Sequence, residues 1–273
     1  MARVSPMRFL RRHVPTAALA PADSAPPKPP NPWVGPAILL VWLALGALLT
    51  RAPGGVAVFA FVMVGWILGV MVHEFCHAAV AWLGGDHTVK AKGYLAFDPR
   101  RYGDLGTSLV MPVIFLLMGG IGFPGGAVYL RNDLMRGPLW RAAAAAAGPA
   151  ATAAILLILV GGLRVWANAG GEGSLFDALA VLAFLQAMGL ILNSLPVPGL
   201  DGFGVIRPFL PAGLNPHLRK AEGLAMLGLF LAIMLVPRAG LVLFQAAAGL
   251  CGALGLPLDP IGAGWAAFHF WKN

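Results

Sequence analysis

The stretch MVHEFCHAAV, residues 71–80, places two histidines and a glutamate inside a long run of mostly apolar residues. His73 and His77 are four apart, so on an α-helix they share one face, one turn from each other. Two imidazoles in that register can bind a single Zn²⁺. Glu74 points about 100° round the helix, close to such an ion without having to ligate it, which suits a general base acting on a metal-activated water. Ionisable side chains within an apolar, membrane-length stretch are costly and mark function by default. The chain has only six His and three Glu, so HExxH is hard to obtain here by chance. The ordinary alternative is a pair of interfacial histidines beside a glutamate that reaches toward water.

A catalytic zinc takes three protein ligands and keeps one position open, so a third donor must come from elsewhere. The segment NSLPVPGLDG, residues 193–202, offers Asp201, the one acid between Asp177 and Glu222. Pro196 and Pro198 fix the chain just before it and can aim a carboxylate. Taken alone, an Asp-Gly pair is a turn signal. At the inner end of an apolar segment, at the depth of His73 and His77, it is a candidate ligand.

These residues must be positioned by membrane helices. The 273-residue chain is 59% hydrophobic and 11% charged, against roughly a quarter charged in soluble domains, and its mean hydropathy is +0.79. This composition predicts an all-α polytopic membrane protein and no nucleic-acid partner: the pI near 10.2 reflects basic cytoplasmic loops. Residues 1–32, with Arg3, Arg8, Arg11, Arg12, Lys28 and PPKPPNP, read as a disordered basic tail ahead of a single domain, 33–273. Apolar segments occur at 33–50, 55–83, 107–130, 139–163, 177–196, 222–236 and 239–258. The segment 107–130 carries Gly119, Gly120, Gly122, Pro124, Gly125 and Gly126, which oppose a continuous helix, so it is expected to be re-entrant and partly extended. Six crossings then remain, with both termini inside. Of the 19 Lys+Arg, only Arg51, Arg164 and Arg238 fall outside, as the positive-inside rule requires. Cys76 and Cys251 suggest neither a disulfide framework nor a cysteine metal site.

HEFCH followed by NSLPVPGLDG resembles the site-2 protease family of intramembrane zinc metalloproteases. GGDHTVKAKGYLAFDP, GDLGT, GFPGGAVYL and AAAGPAAT extend the likeness to the compact branch without a PDZ domain, over roughly residues 70–205. The resemblance implies one Zn²⁺ held by His73, His77 and Asp201, with Glu74 as catalytic base and Asn193 holding the substrate backbone or the developing oxyanion. It also implies a fold in which the HExxH and LDG helices both enter from the non-cytoplasmic side. One departure is Thr152, where the family often has Asn after A-G-P.

The expected activity is cleavage of a transmembrane segment of a protein substrate within the bilayer. The site is expected in a bacterial inner membrane, with the N-terminus cytoplasmic. GFPGGAVYL, residues 122–130, can pair edge-on with an unwound substrate, or be a plain glycine-rich linker. Two other functions fit the same residues: a catalytically silent membrane chaperone or scaffold, and an ion transporter. Asp86 and His87 read as solvated loop, Asp98 and Asp104 as partners of neighbouring arginines, and Cys76 as a packing residue. His13, His217 and His269 have no partner at ligand spacing.

Overall fold

The structure is a computed structural model that describes residues 30–102 and 128–272. Those residues are helical or irregular, with no strand among them. The long helices are α1 (Val34–Leu49), α2 (Gly55–Gly84), α4 (Pro138–Asn168), α5 (Ser174–Asn193), α7 (Asn215–Leu235) and α8 (Pro237–Ala253). Short ones are α3 (Thr88–Ala91), α6 (Asp201–Ile206) and α9 (Leu258–Phe268). Among the described residues, α2, α4 and α5 are each long and apolar enough to cross a membrane. Large apolar side chains such as Leu40 on α1 and Ile158 and Val165 on α4 remain exposed on the outside of the bundle, as lipid-facing surface requires. The chain is an all-α polytopic membrane protein.

The expected basic tail lies outside the described residues up to position 29, as does the expected re-entrant element up to 127. Residues 128–130 are described and are neither helix nor strand.

Helix α5 sits at the centre. Its small residues Ala180, Ala183 and Ala187 face a core shared with Leu156, Val160 and Leu163 of α4, Leu243 and Ala247 of α8, and Ile261 of α9. Its other side, through Ala178, Val181, Leu182 and Leu185, meets Val58, Phe61, Val62 and Trp66 of α2. With no water to solvate open backbone at this depth, helices are the only way to carry these side chains. Helix α2 stops at Gly85, whose φ of 118° lies in the left-handed region. A Cβ there would meet the Leu134 carbonyl oxygen at 2.9 Å, so glycine both ends the helix and admits the returning chain.

The segment 222–258 departs from the expectation of two crossings. Val236 leaves the helical conformation just before Pro237, and the helices on either side are bent by 91°. Taken together they qualify as one span; neither does so alone. Helix α1, at 16 residues, is also short of a full crossing by length. The consequence is at the C-terminus. Phe270 lies against Gly55 at the start of α2, and Gly264 against the Asp177 carbonyl at the start of α5. The last residues therefore share an end of the bundle with the α1–α2 turn, not with the loop that follows α2. Charge counting places the C-terminus with the loop that follows α2, whereas these contacts place it at the other end of the bundle, and the two expected crossings meet at a sharp bend at Pro237.

This placement makes a topological prediction. In a variant with Cys76 and Cys251 replaced by alanine, single cysteines at Ala52 and Lys272 will react with a membrane-impermeant maleimide from the same side of the membrane. A single cysteine at Arg100 will react from the other side. Labelling of 272 together with 100 would contradict the fold.

A candidate metal centre

His73 and His77 lie on the buried face of α2, each no more than 7% exposed. Their rings are 4.6 Å apart between centroids and nearly perpendicular, and their Nε2 atoms are separated by 2.9 Å. Asp201 comes to the same point. Its Oδ2 is 3.1 Å from His73 Nε2 and its Oδ1 is 3.3 Å from His77 Nε2. Among the described residues, these three form the one group of His, Cys, Asp or Glu side chains placed to hold a metal ion. A tetrahedral ion with bonds of about 2.0–2.1 Å holds its donors roughly 3.3 Å apart, which is close to the spacing found here. Gly84, at the end of α2, lies about 16 Å further along the helix axis, so the site is well inside the bundle.

The other nitrogen of each ring is also committed. His73 Nδ1 is hydrogen-bonded with Thr152 Oγ1 at 2.9 Å, and His77 Nδ1 is 2.6 Å from the Ala144 carbonyl, which can only accept. With the protons held at Nδ1, both Nε2 lone pairs face the same point, the arrangement that outer hydrogen bonds impose on metal-binding histidines. Both partners come from α4, whose Gly148-Pro149 pair explains the approach. Pro149 cannot donate to the Ala145 carbonyl and loosens that turn, beside the carbonyl that serves His77. At Gly148 a Cβ would lie 2.2 Å from His77 Nε2 and 2.5 Å from His73 Nε2. Any side chain at 148 would fill the space where the three donors converge.

Asp201 reaches the site through a reversal at the end of α5. After Pro196 and Pro198, Gly199 adopts a φ of 102° and Leu200 is extended, so that Asp201 opens α6. A Cβ on Gly202 would stand 2.3 Å from the Ser194 carbonyl oxygen; the chain folds back directly onto its own helix end. Helix α6 is seated on α4, where Gly204 approaches Ala145.

Glu74 is 4% exposed, and its Oε2 accepts the Val128 backbone N–H at 3.1 Å. The described end of GFPGGAVYL thus runs beside the glutamate. Asn193 is the last residue of α5, half-buried, and its amide makes no hydrogen bond among the described residues. The structure brings His73, His77 and Asp201 together and sets Glu74 next to them; Asn193 is not joined to them by a hydrogen bond.

Two residues read differently from the sequence. Thr152, whose role was left open by its departure from the family pattern, is the hydrogen-bond partner of His73. Asp86 is fully buried and not a solvated loop acid. It accepts from the Thr88 N–H and hydroxyl and from the Arg131 N–H at 2.7 Å, tying the chain after residue 130 to the end of α2. Asp98 behaves as expected: Arg100 forks onto it through two 2.8 Å bonds and holds its carboxyl below the usual carboxylate range; Asp104 lies outside the described residues.

Gly148→Ala is expected to abolish divalent-metal binding while leaving helix content unchanged. Thr152→Val is expected to weaken metal affinity by about 10–100-fold, the usual loss for an outer hydrogen-bond partner. Metal titration monitored alongside circular dichroism checks both; unchanged affinity in Gly148→Ala would show that no metal sits between these donors.

No family model and no solved structure matches the chain. Curated proteins do. A Mycobacterium tuberculosis protein named "Putative zinc metalloprotease Rip2" is 36% identical over 233 residues, covering 85% of this chain and 88% of the relative. A protein of the same name from Mycolicibacterium smegmatis is 37% identical over 182 residues, 67% of each chain. "Putative zinc metalloprotease YwhC" of Bacillus subtilis is 25% identical over 191 residues, covering 67% of this chain and 84% of the relative. Identity at this level over most of both chains, together with the HExxH and LDG motifs meeting at one point, shows that the chain belongs to the site-2 protease family of zinc metalloproteases.

Proposed function

We propose that this protein is an intramembrane zinc endopeptidase that cleaves a transmembrane segment of a membrane protein, in a bacterial inner membrane. The observation that carries the reading is the approach of Asp201 to within 3.1 and 3.3 Å of the two imidazole Nε2 atoms, beside a glutamate that is not one of the three. The donor set suits zinc: two neutral imidazoles and one carboxylate, with a fourth position left for water or substrate. The bare Cα of Gly148 supports the fit, because it preserves the space that an ion needs.

In this reading His73, His77 and Asp201 hold the ion and Thr152 and the Ala144 carbonyl orient the two rings. Zinc bound there would supply Lewis acidity toward the scissile carbonyl and lower the pKa of water. Glu74 takes a proton from the attacking water as its oxygen bonds to the carbonyl carbon. It returns that proton to the nitrogen as the C–N bond breaks. Asn193, at the end of α5, is assigned to hold the substrate backbone or the oxyanion. The apolar walls of α2, α4 and α5 limit water to the site. Substrate must arrive unwound, since a helix keeps its carbonyls in internal hydrogen bonds, and the irregular stretch at 128–130, whose Val128 N–H bonds Glu74, would receive it.

A silent scaffold on the same fold would need the metal and not Glu74. Glu74→Gln is therefore expected to retain one zinc per chain and to lose about 10²–10⁴-fold in cleavage rate, the span of general-base effects. Asp201→Asn and His77→Ala are expected to lose both metal and activity. Metal analysis and an assay on a model transmembrane substrate in proteoliposomes check this. Full activity in Glu74→Gln would remove the protease mechanism, and ion flux without cleavage would point to a transporter.

A further inference from the structure

Asp201 is the one metal-site donor that does not come from a long helix. It opens the six-residue helix α6. Two positions before it stands Gly199, whose φ of 102° lies in the left-handed region. Pro196 and Pro198 fix φ only at their own positions, so Gly199 is the joint with the widest conformational freedom in the turn. A ligand must nevertheless be held within about 0.5 Å of its working position. Something outside the turn has to fix its direction.

Helix α7 supplies two holds, one on each side of Asp201. Before it, Gly199 is seated on α7: a Cβ there would stand 2.5 Å from Met226 Cγ and 3.6 Å from the Glu222 carbonyl oxygen. After it, Arg207, the residue that follows α6, forms an ion pair through Nη1 with Glu222 Oε1. Glu222 and Met226 are four apart in sequence and so lie on one face of α7, about 6 Å from each other along its axis. Helix α7 is itself anchored: Ile233 is buried in the core shared by α4, α5 and α8, and Met226 packs against the same core. As a source of stability, an ion pair whose side chains are 28% and 32% exposed contributes little. Its place in the fold gives it another use, because it joins the far end of α6 to the same face of α7 that seats Gly199.

We propose that Arg207 and Glu222 are positioning residues for the metal centre. Their ion pair and the seat of Gly199 on Met226 clamp residues 199–207 onto α7, and the clamp presents the Asp201 carboxylate to the ion that His73 and His77 share. Without the pair, the freedom at Gly199 lets Asp201 swing away from the imidazoles, and a donor that is not held in place binds the ion less tightly. The proposal rests on the metal-site reading above, and its test measures metal affinity, not cleavage.

Zinc affinity is measured on the full chain in nanodiscs by competition with a chromophoric chelator. Glu222→Gln is expected to weaken zinc binding by about fivefold, the upper end of what an ion pair of this exposure contributes, and Met226→Ala to weaken it as well. Adding Glu222→Gln to Arg207→Gln is expected to cost nothing beyond Arg207→Gln alone, because the pair acts as a unit. Asp133→Asn, which breaks the more exposed pair with Arg131, is expected to leave zinc affinity unchanged. The thermal midpoint of the zinc-free chain separates positioning from packing, and in Glu222→Gln it is expected to stay at the native value. Native zinc affinity in both Glu222→Gln and Met226→Ala overturns the proposal. So does a lowered zinc-free midpoint in Glu222→Gln, which would assign the pair to helix packing. Failure of the native chain to bind zinc would defeat the metal-site reading and the proposal with it, a result distinct from native affinity in the variants.

Discussion

Two imidazole nitrogens and a carboxylate meet within about one ion's width in the middle of an apolar bundle, and the rest of the architecture answers to that convergence. When their Nδ1 protons are held toward α4, His73 and His77 turn two Nε2 lone pairs toward each other. Two lone pairs and an anion crowded together repel one another, and taking them out of water without compensation is expensive. A divalent cation resolves both problems at once. The helices of this protein are arranged to favour that solution: α2 supplies the rings, α4 supplies their outer hydrogen-bond partners, and the reversal after α5 delivers the carboxylate.

The same constraint explains why bare backbone recurs at the contacts. Gly148 touches both imidazoles, Gly202 touches the end of its own preceding helix, and Gly69 lies under the Gln186 amide. Gly148 leaves room for the metal-site imidazoles, and Gly202 for the backbone reversal that carries Asp201. Helix association in lipid lacks a hydrophobic drive and depends on close packing of small residues. Here that general economy is put to chemical use, since the alanine-rich start of α4 lets the Ala144 carbonyl reach His77 of α2.

How much of this was legible beforehand follows from which information is local. The HExxH spacing is a property of one helix, and the apolar lengths of α2, α4 and α5 follow from hydropathy, so both could be read directly. Asp201 was legible because prolines and glycine around it announce a fixed turn. Thr152 was not, because its value lies in facing His73 across a helix pair, and no pattern within α4 encodes that distance. Asp86 looked like loop surface for the same reason: its partner at Arg131 is far along the chain. The bend within 222–258 was not legible for a different reason. Hydropathy counts apolar residues but does not register that the helices on either side of Val236 are bent by 91°.

The central claim is that two histidines and one aspartate, and no sulfur, surround a single zinc. Cys76 lies between the two histidines in sequence and offers the obvious competing donor. X-ray absorption at the zinc edge of the loaded protein tests the claim directly. The account predicts two imidazole nitrogens and oxygen donors at about 2.0–2.2 Å. A sulfur shell at about 2.3 Å, or scattering from a single imidazole, would contradict it.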